Sequence, residues 1–240
     1  MTPPEIDRVE PDLYARYEAW KGWVTPFAVS ADERRYFAGE TRGLAIRDAD
    51  VLEIGFGSGS FLAWAREQGA RVAGTEINEV LLKAARERFI ELLDPAIERI
   101  AAAHAGHFDT IAAFDVFEHF TIAEIVVRLE AAATMLKPGG HLLLRFPNGQ
   151  SPFGLEPQHG DPTHKMALSR SIFEQLIQGM PLTIVGYRAA HAIGGGGAVK
   201  SIARGCRALA RGAISRLLNA IYATDIPWDP VVVLVLRRNA

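Results

Sequence analysis

The stretch Val51-Leu52-Glu53-Ile54-Gly55-Phe56-Gly57-Ser58-Gly59 constrains this chain more than any other. Val51, Leu52 and Ile54 form the short apolar run of a strand buried on both faces of a parallel sheet. Three alternating glycines follow, where the backbone turns tightly and a ligand can approach without meeting a Cβ. Helical spacing resumes at Phe61 and ends at Gly69. A strand, a glycine turn and a helix in this order present free N–H groups to a bound cofactor. The fold class this implies is α/β, with a doubly wound, Rossmann-like sheet.

Spacing separates two kinds of cofactor loop. The dinucleotide fingerprint G-x-G-x-x-G needs a glycine where this chain has Ser60, and the third glycine arrives one position early, at Gly59. Glu53, just ahead of the glycines, has no place in that fingerprint. The stretch instead resembles motif I of the class I methyltransferases that use S-adenosylmethionine. In that family an acid–x–G–x–G–x–G loop wraps the amino-acid end of the cofactor. The resemblance implies that Glu53, Gly55, Gly57 and Gly59 bind S-adenosylmethionine, and that the sheet has seven strands with the last antiparallel, between the fifth and sixth.

Arg71 to Glu76 reads as a second strand ending in an acid. In doubly wound folds an acid there accepts hydrogen bonds from both ribose hydroxyls, which makes Glu76 the ribose candidate. Asn78 is the expected cap of a helix over 79–93. The third strand is expected between Pro95 and His107, in an Ala-rich segment poor in strand formers. Many members of the family place an adenine-contacting acid after that strand. None stands here, and Asp94 or His104 are the alternatives.

Phe108 to Phe114 is a clear fourth strand, followed by Asp115-Val116-Phe117-Glu118-His119, which resembles motif IV of the same family. The resemblance implies Asp115 beside the methionine portion of the cofactor, and Glu118 and His119 at the mouth of the active site. On residue type alone, Asp115 is equally a helix cap and His119 a satisfied loop histidine. A helix over 122–136 ends at Lys137-Pro138-Gly139-Gly140, another mark of the family. Proline stops the helix and the glycines reverse the chain into a fifth strand over 141–146.

Ligands in open α/β sheets bind beyond the carboxyl ends of the strands. Asn148 leaves that end of the fifth strand and is a substrate-binding candidate. The polar segment 156–165 follows, before a helix opened by Ser169. Its D-P-T-H part resembles small-molecule methyltransferases of sugar and lipid pathways. His159 and Asp161 join Glu118 as substrate-binding candidates. His164 is the first choice for a general base and His119 the second catalytic candidate. His159, Asp161 and His164 with Glu118 also read as ligands for a divalent ion. Hydrogen bonding that shapes the loop is the preferred reading, and no metal is assigned.

Residues 1–12 are expected to be loose. Leu13 to Trp23 carries apolar residues at helical spacing, read either as a helix packed on the domain edge or as a lid over the cofactor. Ser30 and Glu33 form a capping box for a helix reaching Gly43. Beyond a helix at 170–178 and a sixth strand at 182–189, glycines 194–197 form a joint. In 198–222, Lys200, Arg204, Arg207 and Arg211 share one narrow helical face, opposite Val199, Ile202, Cys206, Leu209 and Leu217. Such a helix suits either an anionic membrane surface or an insertion packed on the domain or a second subunit. Pro230 to Leu236 closes the chain as a buried strand.

At 240 residues, 49% hydrophobic and 22% charged, the chain reads as one globular methyltransferase domain, with helical segments at 12–43 and 198–224. A formal charge of −2 and the lack of a basic stripe argue against a nucleic-acid partner. Cys206 stands alone, so no disulfide framework or cysteine-zinc cluster forms within the chain. With no apolar signal core, a cytoplasmic protein is expected, with peripheral membrane contact through 198–222 as the alternative. The expected activity is S-adenosylmethionine-dependent methylation, on oxygen, of a small molecule, sugar or lipid-linked glycan. The rivals are a nicotinamide oxidoreductase and a catalytically inactive, membrane-associated subunit of the same fold.

Overall fold

The computed structural model describes residues 13–14 and 17–240. The segment 1–12, expected to be loose, lies outside the described residues.

Seven strands form one sheet: β1 Asp50–Ile54, β2 Arg71–Thr75, β3 Glu91–Leu92, β4 Phe108–Phe114, β5 Leu136–Pro147, β6 Leu182–Ala189 and β7 Val231–Arg238. Their order is β3-β2-β1-β4-β5-β7-β6. The first five run parallel, and β7 inserts antiparallel between β5 and β6. This is the topology expected from the resemblance. Strand order reverses between β1 and β4, which opens a crevice at the carboxyl ends of the central strands.

The period-two alternation of the strands divides the core between the two sheet faces. On one face Leu52, Ile54, Ile111, Leu142, Leu144 and Leu234 pack against Ile125, Leu129 and Met135 of the helix Ile122–Met135. On the other, Val51 and Ala112 pack with Phe37, Phe61 and Trp64, from the helices Ala31–Glu40 and Ser60–Glu67. Glu53 shares the parity of Val51, so its carboxyl enters this aromatic side. Both capping boxes close as reciprocal hydrogen bonds, at Ser30–Glu33 and at Thr121–Glu124.

Two stretches fold differently from their sequence reading. The helix expected over 79–93 stops at Arg86, because Phe89 takes a left-handed φ of 54° and turns the chain into β3. The third strand is therefore only Glu91–Leu92, ahead of Pro95 rather than after it. The Lys-Pro-Gly-Gly reversal is also absorbed into β5. Leu136 already pairs with Phe108, and the register then slips so that His141 meets Thr110. Lys137 points back to bridge Asp50 at 2.9 Å and Asp109 at 2.7 Å, which pins the irregularity to the first and fourth strands.

The helix Ala198–Tyr222 joins β6 to β7 and has no buried residue. Arg204 holds it to Asp32 at 2.5 Å, Arg211 pairs with Asp229, and Asn219 accepts from the Trp228 indole at 2.7 Å. Two members of the expected basic face thus point at the domain. The apolar residues point away, with Val199 82% and Leu209 77% exposed. Among the described residues no helix is long and apolar enough to cross a membrane.

Leu144 lies at the centre of β5, fully buried and paired with Leu234. Leu144→Ala should cost about 2–5 kcal/mol. At roughly 2–4 °C per kcal/mol for a chain of this size, thermal unfolding should shift down by several degrees or more. An unchanged melting temperature would contradict this placement of the core.

Candidate functional site

A cavity of about 660 Å³ opens at the carboxyl ends of β1, β2 and β4. Its floor is the glycine loop. Gly55 and Gly57 take φ of 63° and 52°, a left-handed backbone that only glycine adopts at little cost. A Cβ on Gly55 would lie 2.9 Å from Val116, and one on Gly57 would lie 2.7 Å from Trp23. The Gly57 N–H donates to Glu76 Oε2 at 2.9 Å, while Glu76 Oε1 accepts from Ile77 at 2.7 Å and Asn78 at 3.0 Å. Glu76 is therefore fixed on the cavity wall beside the loop. Gly59, also expected to bind the cofactor, is not among the residues that line the cavity. It caps the helix Ser60–Glu67, and its missing Cβ makes room for Phe27, whose ring would otherwise be 2.4 Å away.

Glu53 also lines the cavity, from within the sheet. Its carboxyl is buried and Oε2 has no hydrogen-bond partner. Burial, then the charge of Glu76, raises its pKa well above the usual carboxylate range. Beside it, Asp115 takes a left-handed φ of 56° and forms a bidentate pair with Arg145, which also donates to the Tyr36 hydroxyl at 2.9 Å. Arg145 escaped the sequence reading. The available signal was an arginine among leucines in a strand buried on both faces.

The far end of the cavity is apolar, formed by Ile77, Leu81, Pro95 and Ala96. Neither adenine candidate from the sequence is part of this wall. Asp94 caps the following turn by accepting from Ala96 N–H at 2.8 Å, and His104 stacks on Phe108. A flat ring at this end would meet side chains by contact rather than through an acid, which explains why no motif announced it.

Tyr14, Tyr17, Lys21 and Trp23 complete the enclosure, so the amino-terminal aromatic segment covers the cavity. Asp161 is its clasp. Tyr17 donates to Asp161 Oδ2 at 2.7 Å, and the Lys21 ammonium lies 3.5 Å from the same oxygen. Burial alone would raise Asp161, yet hydrogen bonds from Thr163 and Tyr17 hold its pKa down at about 2. Burial, then the bond to Asp161, pushes the Tyr17 phenol well above its ordinary value. Asp161 is thus occupied by the roof rather than presented to a substrate.

His119 lines the cavity next to this roof. Its Nδ1 lies 2.8 Å from the Thr163 hydroxyl and 3.2 Å from that of Tyr14. Burial, reinforced by the neighbouring His164, pushes its pKa down to about 4, so the ring is neutral at physiological pH. Glu118 departs from its expected place at the mouth, and His164 from the position a general base would need. Glu118 is fully buried behind His119, and the His164 side chain, 6% exposed, lies alongside it; neither belongs to the cavity wall. Lys165 and Met166 N–H groups bond to the Glu118 carbonyl and draw the segment over it.

Two other substrate candidates lie elsewhere. The Asn148 amide is buried and donates to the Pro227 and Asp229 carbonyls at 2.7 and 2.9 Å, tying the last loop to β5. His159 ends a short helix, Leu155–His159, and faces solvent.

A sheet in this strand order, with a glycine loop after β1 and an acid after β2, defines the class I S-adenosylmethionine-dependent methyltransferase fold. The comparisons agree. A methyltransferase-domain family model matches residues 27–179, and the chain belongs to that family. This sets aside the nicotinamide oxidoreductase. One relative, a ubiquinone biosynthesis O-methyltransferase of Cronobacter sakazakii, is 29% identical over 153 residues, covering 58% of this chain and 62% of that protein. The chain therefore spans less than two thirds of that relative's length. A methyltransferase from Archaeoglobus fulgidus matches with a TM-score of 0.60 at 21% identity, over 85% of this chain and 90% of that one. The 1,6-didemethyltoxoflavin-N1-methyltransferase of Burkholderia thailandensis, crystallised with S-adenosylhomocysteine, matches with a TM-score of 0.60 at 14% identity, over 100% of this chain and 92% of that one. At such identities these structures share the fold.

Gly59→Ala should destabilise the chain by about 1–3 kcal/mol, through backbone strain and collision with Phe27. Denaturant unfolding would measure it. A neutral result would mean that Phe27 is free to move off the loop.

Proposed function

We propose that this chain transfers a methyl group from S-adenosylmethionine to an oxygen of a small acceptor. One observation carries the reading: one cavity is lined both by the buried Glu53, whose Oε2 has no partner among the described residues, and by the Glu76 carboxylate, fixed beside the glycine loop. A buried polar atom without a partner is costly, and a ligand ammonium would remove that cost. Glu53 would hold the amino-acid end of the cofactor, Glu76 its ribose, and Ile77, Leu81 and Pro95 its adenine. When bound, S-adenosylmethionine supplies a methyl activated on a sulfonium, leaving as S-adenosylhomocysteine once the acceptor oxygen has taken it.

The protein's own share is chiefly positioning and exclusion of water. Tyr14, Tyr17, Trp23 and Phe120 make the remaining wall aromatic, which suits an acceptor with a flat apolar face, a phenolic hydroxyl first among them. His119 faces this space as a neutral ring and can take the hydroxyl proton. His164 does not reach it, so its part is to position His119 and Glu118. The relatives named as O-methyltransferases support oxygen as the acceptor atom.

Glu76→Ala should weaken S-adenosylmethionine binding at least about tenfold, or about 1.4 kcal/mol, in calorimetry. Formation of S-adenosylhomocysteine with a panel of phenols and catechols tests the reaction itself. Tight cofactor binding without turnover on any hydroxyl acceptor would favour the non-catalytic subunit. Unchanged binding in the variant would reject Glu76 as the ribose ligand.

A further inference from the structure

We infer that Glu118, His119 and His164 form a divalent-cation site directly behind the acceptor wall. Each offers one ligand atom, and these atoms lie within 4.8 Å of one another. The Glu118 carboxyl is fully buried, and among the described residues neither of its oxygens has a hydrogen-bond partner. His164 Nε2 is 3.9 Å from Oε1, too far for a hydrogen bond. The three groups therefore surround a gap instead of bonding to each other. An unpaired buried carboxyl is unfavourable, and a bound cation is the partner its surroundings lack.

The outer hydrogen bonds prepare the imidazoles for a metal. His164 Nδ1 lies 2.9 Å from the Gln158 carbonyl, which can only accept, so Nδ1 carries the hydrogen and Nε2 keeps its lone pair. The Thr163 hydroxyl donates to Asp161 at 2.6 Å, so towards His119 Nδ1, at 2.8 Å, its oxygen accepts. That network assigns His119 its Nδ1–H tautomer, with a lone pair on Nε2. Asp161 Oδ2, 3.8 Å from His164 Nε2, adds a negative charge at the rim while it clasps Tyr17.

Two imidazoles and a carboxylate suit zinc, manganese, cobalt or iron rather than calcium. Three protein ligands leave positions open, as in catalytic sites. His119 lines the cavity, so an ion held there borders the acceptor. An ion bound there would lower the pKa of an acceptor hydroxyl, and His119, with its one free lone pair on the ion, would then hold the ion instead of taking the proton. This last role rests on the methyl-transfer reading; binding of the ion does not. The sequence reading had considered His159 and Asp161 as ligands, but His159 faces solvent and His119 stands in its place.

The test is titration of the metal-stripped full chain with cobalt(II), followed by its visible absorption, and with zinc(II) and manganese(II) by calorimetry. One equivalent should bind, and Glu118→Gln and His164→Ala should each weaken binding about tenfold or more. S-adenosylmethionine calorimetry on the same variants reports whether the fold is intact. Absence of stoichiometric binding at millimolar metal, or equal binding by variants that retain the nucleoside, would overturn the site. Metal binding without S-adenosylmethionine binding would leave the site standing and refute the methyl-transfer reading.

A different observation carries a second proposal. At about 100° per residue, Val199, Ile202, Cys206, Leu209, Ala213 and Leu217 fall on one stripe of the helix Ala198–Tyr222. Its partly covered residues, Arg204, Ser215, Leu218 and Asn219, lie on the opposite side. The helix thus turns its polar side to the domain and its apolar side to water. None of the 28 acidic residues falls between 192 and 223; the exposed Arg216 borders the stripe, and the exposed Lys200 and Arg207 stand further round the helix. We propose that this face lies on an anionic bilayer, with the stripe among the acyl chains and the bases at the headgroups. The full chain should sediment with phosphatidylcholine vesicles containing phosphatidylglycerol, and not with phosphatidylcholine alone. Ile202→Glu with Leu209→Glu should abolish this while S-adenosylmethionine binding is kept. Failure to sediment, or a dimer in size-exclusion chromatography that the same substitutions dissociate without any vesicle binding, would overturn it.

Discussion

A carboxyl group placed inside a sheet is the constraint on which the rest of the site depends. Glu53 shares a strand with Val51, Leu52 and Ile54, and its neighbours on that face are rings. Among the described residues, nothing fully satisfies it. The surrounding structure has to make that arrangement tolerable, and it does so by shaping a cavity at that point. β4 supplies Asp115, β5 supplies Arg145, and the glycine loop passes over the group with no side chain in the way. The order of strands brings these together, because β1 and β4 are neighbours only where the winding reverses.

The same logic is repeated at a second centre. Glu118, like Glu53, is a buried acid with an unmet need, and in both cases burial pushes the pKa well above the ordinary carboxylate value. Between the two runs the segment Asp115–His119, and above them the roof of Tyr14, Tyr17 and Trp23. Asp161 couples roof and floor. It holds Tyr17 on one side and orders Thr163, and through it His119, on the other. The roof and the imidazole therefore share one hydrogen-bond network centred on Asp161.

Local patterns were legible where chain geometry and chemistry coincide. The alternating glycines, the acid closing β2, the Ser30–Glu33 capping box and the strand run 108–114 each follow from a few adjacent residues. The structure departs from the sequence reading where a residue's meaning depends on what lies across from it. Gly59 carries the same left-handed backbone as Gly55 and Gly57, yet Phe27, far away in sequence, made it a packing position. Asn148 looked like a substrate ligand because it leaves the ligand edge of the sheet. The loop before β7 folds back onto it and takes its amide.

The sequence by itself determined the class of fold, the glycine cradle and the two acids, Glu53 and Glu76, that flank it, because hydrophobic period and backbone freedom are local properties. Only the tertiary structure decided which polar side chains reach the cavity. His119 faces it while Glu118 and His164 stand behind, and the apolar stripe of Ala198–Tyr222 turns outward because Arg204 and Arg211 are anchored to Asp32 and Asp229. Those outcomes depend on burial and on partners far apart along the chain, and burial is a property of the packed molecule.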